Sequence, residues 1–335
     1  MKTTLLLLVA GWISLAQTLA ADDALAAAAA KSHPGHYIAV ERLADRAEIK
    51  KLASLPGVAG IEKRYPWSKL EPTEGAYDFS EIEGDLQALA AVNRQLVVFF
   101  EDKSFNQFNP LPEYLTLDHY AFKYKAKSTG YISKRWDPYV IGRMTALFAA
   151  MGAKFDHHPN CEGIDLQETS IGLDEKARKE HGYTPEKYRD ALIQTCIGAK
   201  QALPNSQVFW YMNFLKDGQS MLADVARAIA PHGVAMGGPD ILPDSPSLKR
   251  LVYPLYGQFQ GKMPLFCSAQ NDSYRHPRRG KTGGDKYWSM EDIFLYARDQ
   301  LHAKYVFWNY KTNRSPADSH DFNDAIPVFK THPRF

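Results

Sequence analysis

Eight short apolar runs, separated by stretches of helical spacing, constrain this chain more than any other feature. The runs are HYIAV (36–40), VAGIEKRY (58–65), QLVVFFE (95–101), EGIDLQE (162–168), QVFWYMNF (207–214), GVAMGG (233–238), MPLFCSAQ (263–270) and KYVFWNY (304–310). Short, near-continuous apolar runs are what strands buried on both faces require. Between them, DRAEIKKLASLP, FSEIEGDLQALAAVN, PYVIGRMTALFAAMGAKF, TPEKYRDALIQTCIGAKQALP and SMEDIFLYARDQLHAK place apolar residues at three- and four-residue steps. That spacing marks helices with one buried face. Ser80, Thr184 followed by Pro185 and Glu186, and Ser289 supply helix-start signals. Eight such units predict an α/β protein of the (β/α)8 TIM barrel class, folded as a single domain. An open doubly wound sheet is the structural alternative, but it usually holds fewer strands, and no G-x-G-x-x-G opens a helix here.

The first twenty residues, MKTTLLLLVAGWISLAQTLA, place one lysine before an apolar run and end in small residues, the layout of a secretory signal peptide. Cleavage is expected after Ala20, with residues 21–35 a flexible leader and 36–335 the barrel domain. No later segment is long and apolar enough for a membrane span, so the mature protein is expected to be secreted or periplasmic. Apolar residues make up 45% of the chain and charged residues 23%, enough for a sizeable core and too balanced for disorder. A net charge of +2 gives no case for nucleic acid. Three cysteines are too few for a disulfide scaffold. The sequence leaves open whether Cys161, opening the fourth strand, is bridged to Cys196 on the helix after it; Cys267 reads as a buried thiol. The chain is expected to act as a monomer without a cofactor.

Two connections are too long to be mere crossovers. Residues 102–139 follow the third strand and 271–288 the seventh, and in a barrel both rise from the C-terminal face, where active sites lie. Glu168 ends the fourth strand on that face. A lone carboxylate there could simply cap a helix or pair with an arginine, so its neighbours decide.

Arg64 ends the second strand and is followed by W-x-x-L-E-P-x-x-G-x-Y-D-F-S, with Trp67, Glu71, Pro72, Gly75, Tyr77, Asp78 and Phe79 at the fixed positions. This stretch resembles the second-strand signature of the large (β/α)8 glycoside hydrolase clan that contains cellulases, xylanases and β-galactosidases. The resemblance implies an acid/base glutamate at the end of strand four, usually after an asparagine; Gln167 and Glu168 stand there, and Gln167 can offer amide donors to a sugar hydroxyl. It implies an aromatic platform at the end of strand eight, where Trp308 stands, and places Arg64 and Trp67 at the mouth. It also implies a nucleophilic glutamate at the end of strand seven. This chain reads PLFCSAQND there, and Gln270 cannot act as a carboxylate nucleophile. The second carboxylate is open among Asp272, Asp240, which would suit an inverting geometry, and Glu101 or Asp102.

Aromatic residues cluster at strand ends and long connections, among them Tyr114, Tyr131, Trp136, Trp210, Tyr211, Tyr274 and Trp288, with Asn213 near the end of the fifth strand. Aromatic faces stack on sugar rings. Residues 275–286 hold Arg275, His276, Arg278, Arg279, Lys281 and Lys286, and the other long connection holds Lys123, Lys125, Lys127, Lys134 and Arg135. Either these are solvated loops or they grip an anionic sugar. The expected function is an exported glycoside hydrolase cleaving a polysaccharide, with Glu168 as general acid/base, on an anionic glycan. The alternatives are a polysaccharide lyase using Tyr211, Tyr274 or His276 as base, and a carbohydrate-binding barrel without catalysis. Metal catalysis is not expected, because His157 and His158 are adjacent and H-E-x-x-H is absent.

Overall fold

The computed structural model describes residues 31–125, 129–172, 174–215, 219–238 and 240–335. The expected signal peptide, most of the leader and Lys127 lie outside the described residues. Eight parallel strands close into a barrel: β1 (Gly35–Val40), β2 (Val58–Pro66), β3 (Gln95–Glu101), β4 (Cys161–Leu166), β5 (Gln207–Tyr211), β6 (Ala235–Gly238), β7 (Leu265–Ala269) and β8 (Tyr305–Asn309). Each pairs with its neighbour in this order, and β8 returns to β1. The expected eight strands are therefore the barrel staves, with some ends moved. β4 stops at Leu166 because the Gln167 side chain, not its backbone, meets the next residues of the β3 connection.

The helices start where short polar side chains take up the first free N–H groups. Asp137 caps Pro138–Phe155, Thr184 caps Pro185–Ala202 and Ser289 caps Met290–Leu295. Ser80 differs from expectation. It is the first residue of Ser80–Ala90, and its N–H is taken by Asp78 at 2.9 Å.

Alternation along the strands divides the core in two. Ile61, Val98, Phe100, Ile164, Leu166, Trp210 and Trp308 face outward into the helical layer. Tyr37, Val97, Phe209, Tyr211, Phe266, Tyr305 and Phe307 fill the barrel. Phe209, Phe266 and Phe307 meet edge to face with centroids 5.3–5.5 Å apart, a favoured geometry for aromatic pairs. Gly237 makes room for this plug, since a Cβ there would lie 2.4 Å from the Phe266 ring. Above the plug the interior turns polar, with Glu62, Arg64, Asp165 and Glu101 at successive inward positions.

The connection after β3 carries an antiparallel hairpin, Ala121–Lys125 with Thr129–Ser133. It is laid against residues 102–104 by Ser104 N–H to Tyr131 O and Ser133 N–H to Asp102 O, at 2.8 and 3.2 Å. Cys161, Cys196 and Cys267 are all buried free thiols, which settles the open Cys161–Cys196 question against a bridge. No helix among the described residues is long and apolar enough to cross a membrane.

Candidate active site

The motif after β2 proves to be an internal anchor. Glu71 is fully buried and accepts from Trp67 Nε1 (2.9 Å), Tyr114 Oη (2.6 Å), Gly75 N (2.8 Å) and Arg143. A buried carboxylate met by this many donors is satisfied, and the turn at Gly75, with φ of 76°, is pinned to it. Trp67 is consequently enclosed and offers no face to a ligand. Arg64 does reach the mouth. Its guanidinium lies over Phe99 at 4.2 Å, with Glu41 at 3.6 Å and Glu101 at 4.0 Å. Burial works against its charge, but the carboxylates of Glu41, Glu101 and Glu62 outweigh it and raise its pKa.

Glu168 is set by a lock between the ends of β3 and β4. Gln167 Oε1 accepts from the N–H groups of Asp102 (3.1 Å) and Lys103 (2.8 Å), and its Nε2 donates to Lys103 O at 2.8 Å. The amide assigned to sugar recognition is thus consumed in joining two loops, and it is buried. Arg135 grips Asp102 with two bonds, 2.8 and 2.6 Å, and donates to the main-chain oxygen of Glu168 at 2.6 Å. This fork-to-carboxylate pairing is a rigid one. It spends Arg135 on structure, not on an anionic ligand.

The Glu168 side chain, 12% exposed, pairs with Lys103 Nζ at 2.6 Å and accepts from Asn213 Nδ2. Lys103 itself is fully enclosed and also donates to Ser170 O. Burial pulls the Lys103 pKa down, and the neighbouring Glu168 opposes this. Thr169 continues the β4–β5 contact, with its N–H to Tyr211 O (3.2 Å) and its Oγ1 to Asn213 O (2.9 Å), so Asn213 and Glu168 are placed by the same two strands.

Asp240 follows β6, part-buried, and its carboxyl is pushed up to about 7 by burial and by the carboxylates of Asp272 and Glu168. Tyr211 lies in the same field: burial, Asp240, Glu168 and Glu62 all drive its hydroxyl well up. Gln270 Nε2 donates to that hydroxyl at 2.6 Å. The mouth therefore brings together Arg64, Glu168, Tyr211, Asn213, Asp240 and Gln270 from five strands. It does not recruit the other candidates. Asp272 and Arg275 pair with each other on the rim at 2.5 Å. Trp308 faces outward, with no exposure, and donates to His36 Nδ1 at 3.1 Å, because Phe307 already takes the inward position beside it. Tyr274 is buried with its hydroxyl on Asn309 O, and His276 Nε2 accepts from Asp244 N.

Three residues of this region were missed: Lys103, Glu62 and Asp165. Glu62 with Arg64, and Asp165 with Gln167, stand at alternate positions of strands buried on both faces. That spacing was the available signal of a polar barrel interior.

No protein-family model matches the chain, and no curated protein does either. Solved structures are similar in fold. A β-galactosidase from the psychrophilic Marinomonas ef1 superposes with a TM-score of 0.59 at 9% identity, over 88% of this chain and 59% of that one. The exo-β-1,4-mannosidase Op5Man5 from Opitutaceae bacterium strain TAV5 gives 0.56 at 13%, over 89% and 59%. Endo-glycoceramidase II from Rhodococcus sp. gives 0.55 at 10%, over 88% and 78%. The chain spans about three fifths of the length of the first two. Its closed eight-stranded parallel barrel is a (β/α)8 fold, similar to the barrels of these three glycosidases.

Proposed function

We propose that this chain is an exported glycoside hydrolase in which Asp240 gives a proton to the leaving oxygen and Glu168 serves as the ionised carboxylate. The observation that carries the reading is the contrast between the two acids at one mouth. Asp240 holds its proton to about pH 7, while Glu168 is ion-paired with the Lys103 ammonium at 2.6 Å. An acid raised by burial beside a carboxylate that faces a lysine suits the two roles of glycoside hydrolysis. The expectation gave the proton to Glu168; the Lys103 contact at 2.6 Å favours giving it to Asp240 instead.

The fold neighbours, whose names state action on galactosides, mannosides and glycoceramides, support a carbohydrate substrate. The case for an anionic glycan is narrower than the composition of residues 275–286 suggested. Arg275, Arg278 and Lys286 face Asp272, Asp292 and Asp318, so Arg279 and Lys281 are the cations that would take up a uronate or sulfate. The lyase reading draws less support, because burial drives the hydroxyls of Tyr211 and Tyr274 well up and away from a base's range.

The test is release of reducing ends from a panel of neutral and anionic glycans by the wild type and by Glu168→Gln. The variant keeps size and polarity but loses the charge, so turnover is expected to fall about 100-fold or more with binding retained. Undiminished turnover would assign Glu168 to structure.

A further inference from the structure

Glu62 on β2 and Asp165 on β4 stand at inward positions on either side of β3, beneath the mouth, and their carboxyls interact directly. Asp165 is fully enclosed and Glu62 nearly so. Glu62 Oε1 and both oxygens of Asp165 have no hydrogen-bond donor among the described residues, and each carboxyl is the other's polar contact. The residues level with them on adjacent strands include the apolar Ala39, Val97 and Phe209. The charged and titratable groups that reach them are Arg64 on the same strand, Glu41 after β1 and Tyr211 on β5.

Two carboxylates in contact away from water repel each other, and as acceptors they can form no hydrogen bond between them. One proton held between them converts the repulsion into a short charge-assisted bond. We infer that Glu62 and Asp165 form a proton-sharing carboxyl pair that carries a single negative charge beneath the mouth and positions Arg64 from below. The contacts of Arg64 with Glu41 and Glu101, at 3.6 and 4.0 Å, are longer than direct hydrogen bonds. The guanidinium is accordingly held by the field of the surrounding carboxylates, of which the pair is the innermost. Burial raises both carboxyls, as a retained proton requires. The pair is a positioning site that touches no substrate, and the inference stands whether or not the chain hydrolyses glycosides.

The experiment is infrared spectroscopy of the full chain at pH 8, reading the carbonyl band of protonated carboxyl groups. Wild type, Glu62→Gln, Asp165→Asn and Asp240→Asn are compared, and thermal unfolding is followed from pH 8 to 10. A protonated carboxyl is expected in the wild type. It should be lost in Glu62→Gln and Asp165→Asn and retained in Asp240→Asn. The two amide variants supply an N–H in place of the shared proton, so their Tm should fall less than that of the wild type across that range. A wild-type spectrum without the band at pH 8, or a band that survives both amide substitutions, overturns the inference. The wild-type spectrum decides even if a variant fails to fold.

Discussion

A carboxyl that keeps its proton to about pH 7 is a donor only below that pH, and this property of Asp240 governs what single substitutions should do. Asp240→Asn removes the donor and should lower kcat/KM about 100-fold or more, with the smallest loss on substrates whose leaving groups need no proton. Comparing aryl glycosides of good and poor leaving groups checks this; equal losses on both would argue against the role. Because the folded carboxyl is raised, its contribution to stability is complete below the unfolded value of about 4 and is lost as pH rises through 7. Urea midpoints for Asp240→Asn should therefore vary less with pH over that window than those of the wild type. Glu168 was legible in the sequence because a charge ending an apolar strand is conspicuous. Its partner Lys103 was not, since one lysine among the many polar residues of a long connection carries no mark of being fully enclosed. Trp308 was misread for a different reason. Tyr305 and Phe307 share one parity, and taking them as the inward set would have turned Trp308 outward to the helices.

At the scale of elements, the decisive unit is the end of β3 with its connection, which Gln167 and Arg135 fasten to β4. Arg135→Met leaves the buried Asp102 carboxylate without its guanidinium, with Ser133 Oγ still donating to it, and should cost about 3–5 kcal/mol. The same variant should also disturb Glu168 through the lost bond to its main-chain oxygen. Urea unfolding checks the first effect, and a fall in kcat beyond the loss of folded protein checks the second; a cost below about 1 kcal/mol would contradict the lock. The eight strands were legible because each is buried on both faces and reads as one apolar run. Their ends were not, because side-chain amides such as Gln167 take over where the ladder stops. The hairpin at 121–133 was hidden among lysines and tyrosines, which read equally well as loop.

For the whole molecule, closing the barrel places the ends of all eight strands around one mouth, so residues as distant in sequence as Arg64 and Gln270 share a site. The fold needs no covalent staple. With all three cysteines buried and free, added reductant should leave Tm unchanged, and a thiol reagent should find three reactive groups only after unfolding; a reductant-sensitive Tm would contradict this. The barrel class was legible from alternation alone, whereas the proposed division of labour between the acids was not, because it depends on burial and on neighbours contributed by other strands. The pH dependence of kcat/KM on a hydrolysed glycoside tests that division most directly. With Asp240 as proton donor, the rate should fall tenfold per pH unit above about 7, following the carboxyl that burial and its acidic neighbours raise. A rate that stays level from pH 6 to 9 would contradict the account.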